Sequence, residues 1–198
     1  MRPAPDLDLS AGDLVTSVLA HAPTLGAGHL VCVDGPAGSG KTTLAAALGR
    51  RLRESLGAPA PLVHLDDVYP GWSGLAQGME IVATSVVAPL RAGRPGRYRR
   101  YDWHTGRFAE ERVVPPGGVL VLEGVGAGAA AYADAVTLLV WVDAPADVRL
   151  ARGLARDGES MRDRWLAWQE QEEAMFVRER TRERSQVVVD GLTGTIQR

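Results

Sequence analysis

"VCVDGPAGSGKTT", residues 31–43, runs an apolar strand-like segment into a glycine-rich loop and then into a helical sequence. Its centre, "GPAGSGKT", matches G-x-x-x-x-G-K-[ST], with Gly35, Gly40, Lys41 and Thr42 at the fixed positions. Pro36, Ala37, Gly38 and Ser39 are small or compact, so the backbone can wrap a phosphate with its N–H groups. Thr43 follows where the helix presents its N-terminal dipole. Ser39 is read as a small-residue requirement and not as a nucleophile. Lys41 is the sole lysine among 22 basic residues. In this motif the lysine reaches the β- and γ-phosphates and the Thr42 hydroxyl ligates Mg²⁺.

The rest of the chain supplies the context that the motif requires. "HLVCVDG", "APLVHLDD", "GGVLVLEG", "AVTLLVWVDA" and "SQVVVDG" read as strands, several of them continuous apolar runs suited to burial on both faces. Between them come helical segments: Lys41 to about Leu56, ending at Gly57; "MEIVATSVVAPLRAG", ending around Pro89 to Gly93; "ADVRLARGLARDG"; and "MRDRWLAWQEQEEAMFVRERTRER". A short helix over 10–21 precedes them, with Ser10 as N-cap and Leu14, Val15, Val18 and Leu19 on one face. This alternation predicts an α/β fold of the P-loop NTPase kind. It has three α/β/α layers around a mostly parallel sheet of about five strands, in a single domain over 1–198. Ligands then bind beyond the carboxyl ends of the strands. That rim gathers residues 34–43, Asp66 to Tyr69, Glu123 and the residues after Asp143.

Composition narrows the partners. A net charge of −2 gives no global attraction to nucleic acid or anionic membrane. The single cysteine, Cys32, lies in an apolar run and reads as a small buried side chain. "MRPAPDLDLS" has no apolar leader core, and no apolar run approaches the ~20 residues of a membrane span. A cytoplasmic protein without a membrane partner is expected; these residues set no oligomeric state.

Glu123, at the end of "VLVLE", is the natural second ligand for Mg²⁺. The chain contains no asparagine, so the Asn-Lys-x-Asp guanine motif is absent and ATP is the expected nucleotide. Transfer of its γ-phosphoryl group to a hydroxyl needs a carboxylate to take the hydroxyl proton. Asp66 and Asp67 in "HLDDVYPGW" both qualify by position.

The order of Walker A loop, Asp-x-x-Tyr, "RYDWHTGR", "LEG" and "VDAPADVRLARGLARD" resembles the uridine kinase family, a group related to phosphoribulokinase and bacterial pantothenate kinase. The resemblance implies a small-molecule kinase using ATP and Mg²⁺, with a nucleoside as acceptor. It implies Asp66 as catalytic base and Glu123 as the Mg²⁺-linked carboxylate. Tyr69, Tyr101, His104 and Arg107 would face the acceptor. Arg152 and Arg156 would be catalytic residues of a helical lid over about 150–165. The chain departs from the family where an Asp-His-Pro segment helps to bind the sugar: "GWSGLAQGME" has no acidic residue until Glu80.

Three features admit other readings. "GRPGRYRRYDWHTGR" interleaves arginines with aromatic rings as single-strand nucleic-acid binders do, but the charge balance favours a small substrate. Trp165 and Trp168, with Glu172, Met175 and Phe176, read as an amphipathic helix packing on the sheet. Arg149, Arg152 and Arg156 share one helical face, which predicts a shared task. The competing function class is a P-loop regulatory switch without an acceptor.

Overall fold

The computed structural model describes residues 7–197; the ends of the 1–198 span, including most of "MRPAPDLDLS", lie outside the described residues. The elements, in chain order, are α1 (Leu7–Leu19), β1 (Gly28–Asp34), α2 (Lys41–Leu56), β2 (Leu62–His64) and a 3₁₀ turn at Leu65–Asp67. A long helical stretch follows: α3 (Leu75–Ile81), a π-helical segment (Val82–Val87) and α4 (Ala88–Arg91). Then come β3 (Gly96–Asp102), β4 (Arg107–Val114), β5 (Gly118–Glu123), β6 (Leu138–Asp143), α5 (Ala146–Asp157) and α6 (Arg162–Glu179). The chain ends with α7 (Thr181–Arg184), β7 (Val187–Asp190) and β8 (Ile196–Gln197).

Six strands form the central sheet in the order β2-β5-β1-β6-β7-β8. The first five pair in parallel and β8 pairs antiparallel to β7. Alternation along the strands divides the core. Leu30, Cys32, Leu120, Leu122 and Leu139 face the α3–α4 stretch and α6. Val31, Val33, Val121, Val140 and Val142 face α1 and α2. Both faces of β1, β5 and β6 are covered, which is why those strands are apolar throughout. Cys32 is fully buried. Among the described residues no helix is long and apolar enough to cross a membrane.

The parallel register sets the functional rim. Val33 pairs with Glu123, so the phosphate loop leaves β1 directly beside the end of β5. Gly35 has φ +139, and a Cβ there would stand 2.2 Å from the Val142 carbonyl oxygen, so the loop's first turn admits only glycine.

Four local expectations change. Helix α1 begins before Ser10, whose hydroxyl is buried and donates to the Gly194 carbonyl instead of capping the helix. Leu19 ends that helix exposed. The 79–93 segment starts earlier, at Leu75, and widens into a π-helical turn ahead of Pro89. Proline has no N–H and its ring crowds the carbonyl four residues back, so the widened turn relieves both problems. The 161–184 segment breaks at Arg180, which adopts φ 51 and donates its N–H to Phe176 O at 2.8 Å. The break turns Thr181 into the core, and the Arg184 guanidinium donates to the Gly128 carbonyl.

The basic-aromatic stretch "GRPGRYRRYDWHTGR" is an antiparallel hairpin, β3–β4, outside the main sheet. Its faces are matched by Arg97–Glu111 and Arg100–Glu110 ion pairs, with few apolar anchors such as Tyr98 and Val114.

Candidate active site

The phosphate loop closes on itself. Lys41, buried at the first position of α2, donates from Nζ to Pro36 O at 2.9 Å. Asp34, at the end of β1, is fully buried beneath the loop. It accepts from the N–H groups of Gly35 at 2.7 Å, Gly126 at 2.9 Å and Gly128 at 2.8 Å. Burial outweighs those three bonds and pushes its carboxyl up to about 6.

On the β5 side, the Thr42 hydroxyl lies 3.3 Å and 3.4 Å from the two Glu123 carboxylate oxygens. His64, the last residue of β2, donates from Nδ1 to Glu123 Oε1 at 2.5 Å, and that bond holds its imidazole above the ordinary histidine range. The hydroxyl and carboxylate are hard oxygen donors, the chemistry that Mg²⁺ takes alongside substrate phosphates. The residues present therefore fit Mg²⁺.

Asp66 sits on the 3₁₀ turn that follows β2 and opens into the same cleft as Lys41, Thr42 and Glu123. Protein atoms crowd its carboxylate while the cleft keeps it reachable by solvent. Burial, then the negative Glu123, raise its pKa; Lys41, Arg156 and His64 act in the opposite sense. Asp67, one residue on, does not line the cleft. The Trp103 indole N–H donates to the Asp66 carbonyl at 2.8 Å, so the hairpin is tied to this turn.

The other expected site residues divide. His104 and Arg156 line the cleft, which has a volume of about 660 Å³. Arg156 is paired with Asp157 at 2.7 Å and lies 5.6 Å over the Trp165 ring. Tyr69 also lines it, but its ring is fully buried and its hydroxyl donates to the Val125 carbonyl. Tyr101 packs edge-on against Trp103 at 5.3 Å, one layer behind the wall, and Arg107 is exposed on the hairpin away from the cleft. Arg152 is not in the cleft. It donates to Gly38 O at 3.0 Å, Ser39 O at 3.3 Å and Gly191 O at 3.1 Å, bracing the phosphate loop from outside.

Sequence reasoning missed two groups. One is Arg149–Glu172: the Glu172 carboxylate, 1% exposed, accepts from Arg149 Nη1 at 2.8 Å and from the Ala37 N–H at 2.7 Å. Its burial raises its pKa, against the pull of the Ala37 N–H, Lys41 and Arg149. The other is a tryptophan wall of Trp72, Trp103, Trp165 and Trp168. Their spacing in α6 signalled core packing, which Trp165 and Trp168 also do; nothing local signalled Trp72.

Residues 81–167 match a family described as "Phosphoribulokinase / Uridine kinase family". This chain resembles that family. The solved structures that match share its fold. A possible uridine kinase from Bacillus stearothermophilus aligns at 23% identity and TM-score 0.66, covering 91% of this chain and 97% of the other. A protein from Silicibacter sp. TM1040 described as a "putative fructose transport system kinase" aligns at 20% identity and TM-score 0.59, covering 83% and 94%. A D-glycerate 3-kinase from Cryptococcus neoformans aligns at 15% identity and TM-score 0.50, covering 94% and 89%. No curated protein sequence matches. The fold is that of the P-loop kinases, and these neighbours carry three different acceptor names on it.

Proposed function

We propose that this protein is an ATP-dependent small-molecule kinase. It is read as one P-loop kinase domain over 1–198, cytoplasmic and without a nucleic-acid partner. It transfers the γ-phosphoryl group to a hydroxyl of a nucleoside or similar small acceptor. The observation that carries this reading is the Asp66 carboxylate opening into the same cleft as Lys41, Thr42 and Glu123. A nucleotide switch needs a phosphate cradle; it does not need a second carboxylate aimed at the place where an acceptor would sit.

In this reading the loop amides and Lys41 hold the β- and γ-phosphates. Thr42 and Glu123 would hold Mg²⁺, which when bound offsets phosphate charge. Asp66 accepts the acceptor's hydroxyl proton as its oxygen bonds to the γ-phosphorus. The bond from that phosphorus to the β–γ bridging oxygen breaks, and ADP leaves with the electron pair. Arg156 faces the charge that accumulates on the transferring group. His104 and Trp103 border the acceptor's entrance.

The test is ATP consumption with Mg²⁺ across nucleosides, pantothenate, and free and phosphorylated sugars. Turnover that rises with one acceptor class supports the kinase. ATP binding with a turnover that no hydroxyl compound changes would overturn it.

A further inference from the structure

Four of the chain's five tryptophans line the cleft that holds Asp66. Trp72 is their hub. Its ring meets Trp103 at 5.7 Å, Trp165 at 6.4 Å and Trp168 at 6.0 Å, at interplanar angles of 67° to 85°. The four come from three separate parts of the chain: the loop after the 3₁₀ turn, the β3–β4 hairpin and α6. Helix packing alone does not account for such convergence, because Trp72 remains half-buried and Trp103 is 40% exposed at the cleft. Met161 adds a further apolar surface.

The polar groups of the cleft are already engaged. Lys41, Thr42 and Glu123 belong to the phosphate side, and Arg156 and Asp157 hold one another. What remains for an acceptor is Asp66, His104 and Arg164. The chain has no asparagine and no glutamine lines the cleft. A polyhydroxy acceptor would leave several hydroxyls facing indole carbon, each desolvated without a partner. A flat ring would meet the faces and edges of indoles instead.

We propose that the acceptor is a planar aromatic alcohol, selected by its ring and not by a pattern of hydroxyl groups. This rests on the kinase reading above and sharpens it. The reacting hydroxyl gives its proton to Asp66 and bonds to the γ-phosphorus of ATP, ADP being the leaving group. The ring lies against Trp72 and its neighbours. Further hydroxyls on the acceptor, such as the 2′ and 3′ hydroxyls of a ribose, are dispensable.

The experiment compares uridine, 2′,3′-dideoxyuridine, hydroxymethylpyridine, fructose and glycerate. ATP consumption is followed in parallel with intrinsic tryptophan fluorescence, which reports acceptor binding without turnover because four of the five fluorophores form the wall. Binding of a fluorescent ATP analogue is the separate control. The expected result is that the aromatic alcohols change the fluorescence and are phosphorylated. Loss of the 2′ and 3′ hydroxyls should change kcat/KM by less than about tenfold, whereas a site built around them would reject the analogue by roughly 10⁴. Trp72→Ala should raise the acceptor KM about tenfold or more without moving the KM for ATP, and Trp72→Phe should recover most of it. Three results would overturn the proposal with the kinase intact: turnover with fructose or glycerate only, loss of activity with the dideoxy analogue, or ATP bound with no fluorescence response to any aromatic alcohol. Failure to bind the ATP analogue would instead overturn the kinase reading, and this proposal with it.

Discussion

Glu172→Gln removes one charge from a buried pair and changes the shape of the site very little. The carboxylate has two partners, Arg149 Nη1 at 2.8 Å and the Ala37 N–H at 2.7 Å, and both donate. An amide has one oxygen to offer, so whichever donor it satisfies, its NH₂ group confronts the other. Breaking a buried ion pair from one side costs roughly 3–5 kcal/mol. Arg149 keeps the Ala144 carbonyl at 3.1 Å and the Ala37 carbonyl at 3.4 Å and is 13% exposed, so the low end, about 3 kcal/mol, applies here. With a urea m-value of ~1–3 kcal/mol/M, the unfolding midpoint should fall by about 1–3 M.

The companion variant separates stability from function. Replacing both partners, Arg149→Met with Glu172→Met, removes the uncompensated charge. Such apolar exchanges are often neutral or stabilising. Up to about 2 kcal/mol of the lost stability should return, the Ala37 N–H left without an acceptor costing about 1–3 kcal/mol. The KM for ATP should stay raised, because nothing then fixes that amide. The measurements are urea unfolding by circular dichroism and steady-state kinetics at saturating acceptor. A midpoint shift below ~0.3 M for Glu172→Gln would refute the buried-pair argument. Normal ATP affinity in the double variant would refute the role in holding the loop.

Asp66→Asn should lower kcat by about 10²–10⁴ and spare the KM for ATP; the acid limb of the wild-type kcat profile should lie above the ordinary carboxylate value of 3.8, because burial raises this pKa. Arg156→Ala should depress kcat by roughly 10³, whereas Arg152→Ala should act mainly on the KM for ATP; kinetics with ATP varied would distinguish them, and identical profiles would refute the division between cleft and brace. Asp34 titrates near 6 in the fold against 3.8 unfolded, so its protonated form is the one that folding favours. Its contribution is fully present below about pH 4 and lost as pH rises through about 6, a fall of about 3 kcal/mol. Urea midpoints across that window should decline for the wild type and lose that component in Asp34→Asn. Arg149 and Arg152 already bond to the phosphate loop, so hydrogen exchange should show ATP protecting the amides around Gly158 to Met161 and leaving those of Arg149 to Gly153 unchanged; equal protection would refute that division.

The phosphate loop, its strand and its helix were legible because each carries a local cause: an apolar run buried on both faces, glycines at positive φ, and Gly57 (φ 61) ending α2. The hairpin was not. Its alternation is hidden by arginines whose partners, Glu110 and Glu111, come from the opposite strand. The helix end expected around Pro89 to Gly93 falls at Arg91, whereas the π turn ahead of Pro89 had no local signal in the sequence. Arg149, Arg152 and Arg156 were legible as one face, but periodicity names a direction and not a partner. The first two meet the outside of the loop and only the third reaches the cleft. Trp72 was illegible because its significance lies in rings contributed from about thirty and more than ninety positions away.

These placements restrict how such a site can close. The start of α5 is fixed to the phosphate loop: a Cβ on Gly38 would stand 2.6 Å from the Arg149 carbonyl oxygen, and Arg149 and Arg152 both donate into the loop. Moving that part of the helix would drag the cradle away from the phosphates it must hold. Helix α6 is fixed at Glu172 to the Ala37 amide in the same way. Between these two anchors lie Arg156, Gly158 at φ +97, the short turn Glu159–Met161 and Arg164. We propose that closure over a bound substrate is carried by the nine residues from Arg156 to Arg164, within the 150–165 span expected for the lid. The two arginines that face the cleft sit near its ends. The same anchors that narrow the motion join its two consequences. Helix α6 carries Trp165 and Trp168 on the wall and Glu172 on the loop, so an acceptor placed as we propose would press on the element that positions the phosphate cradle.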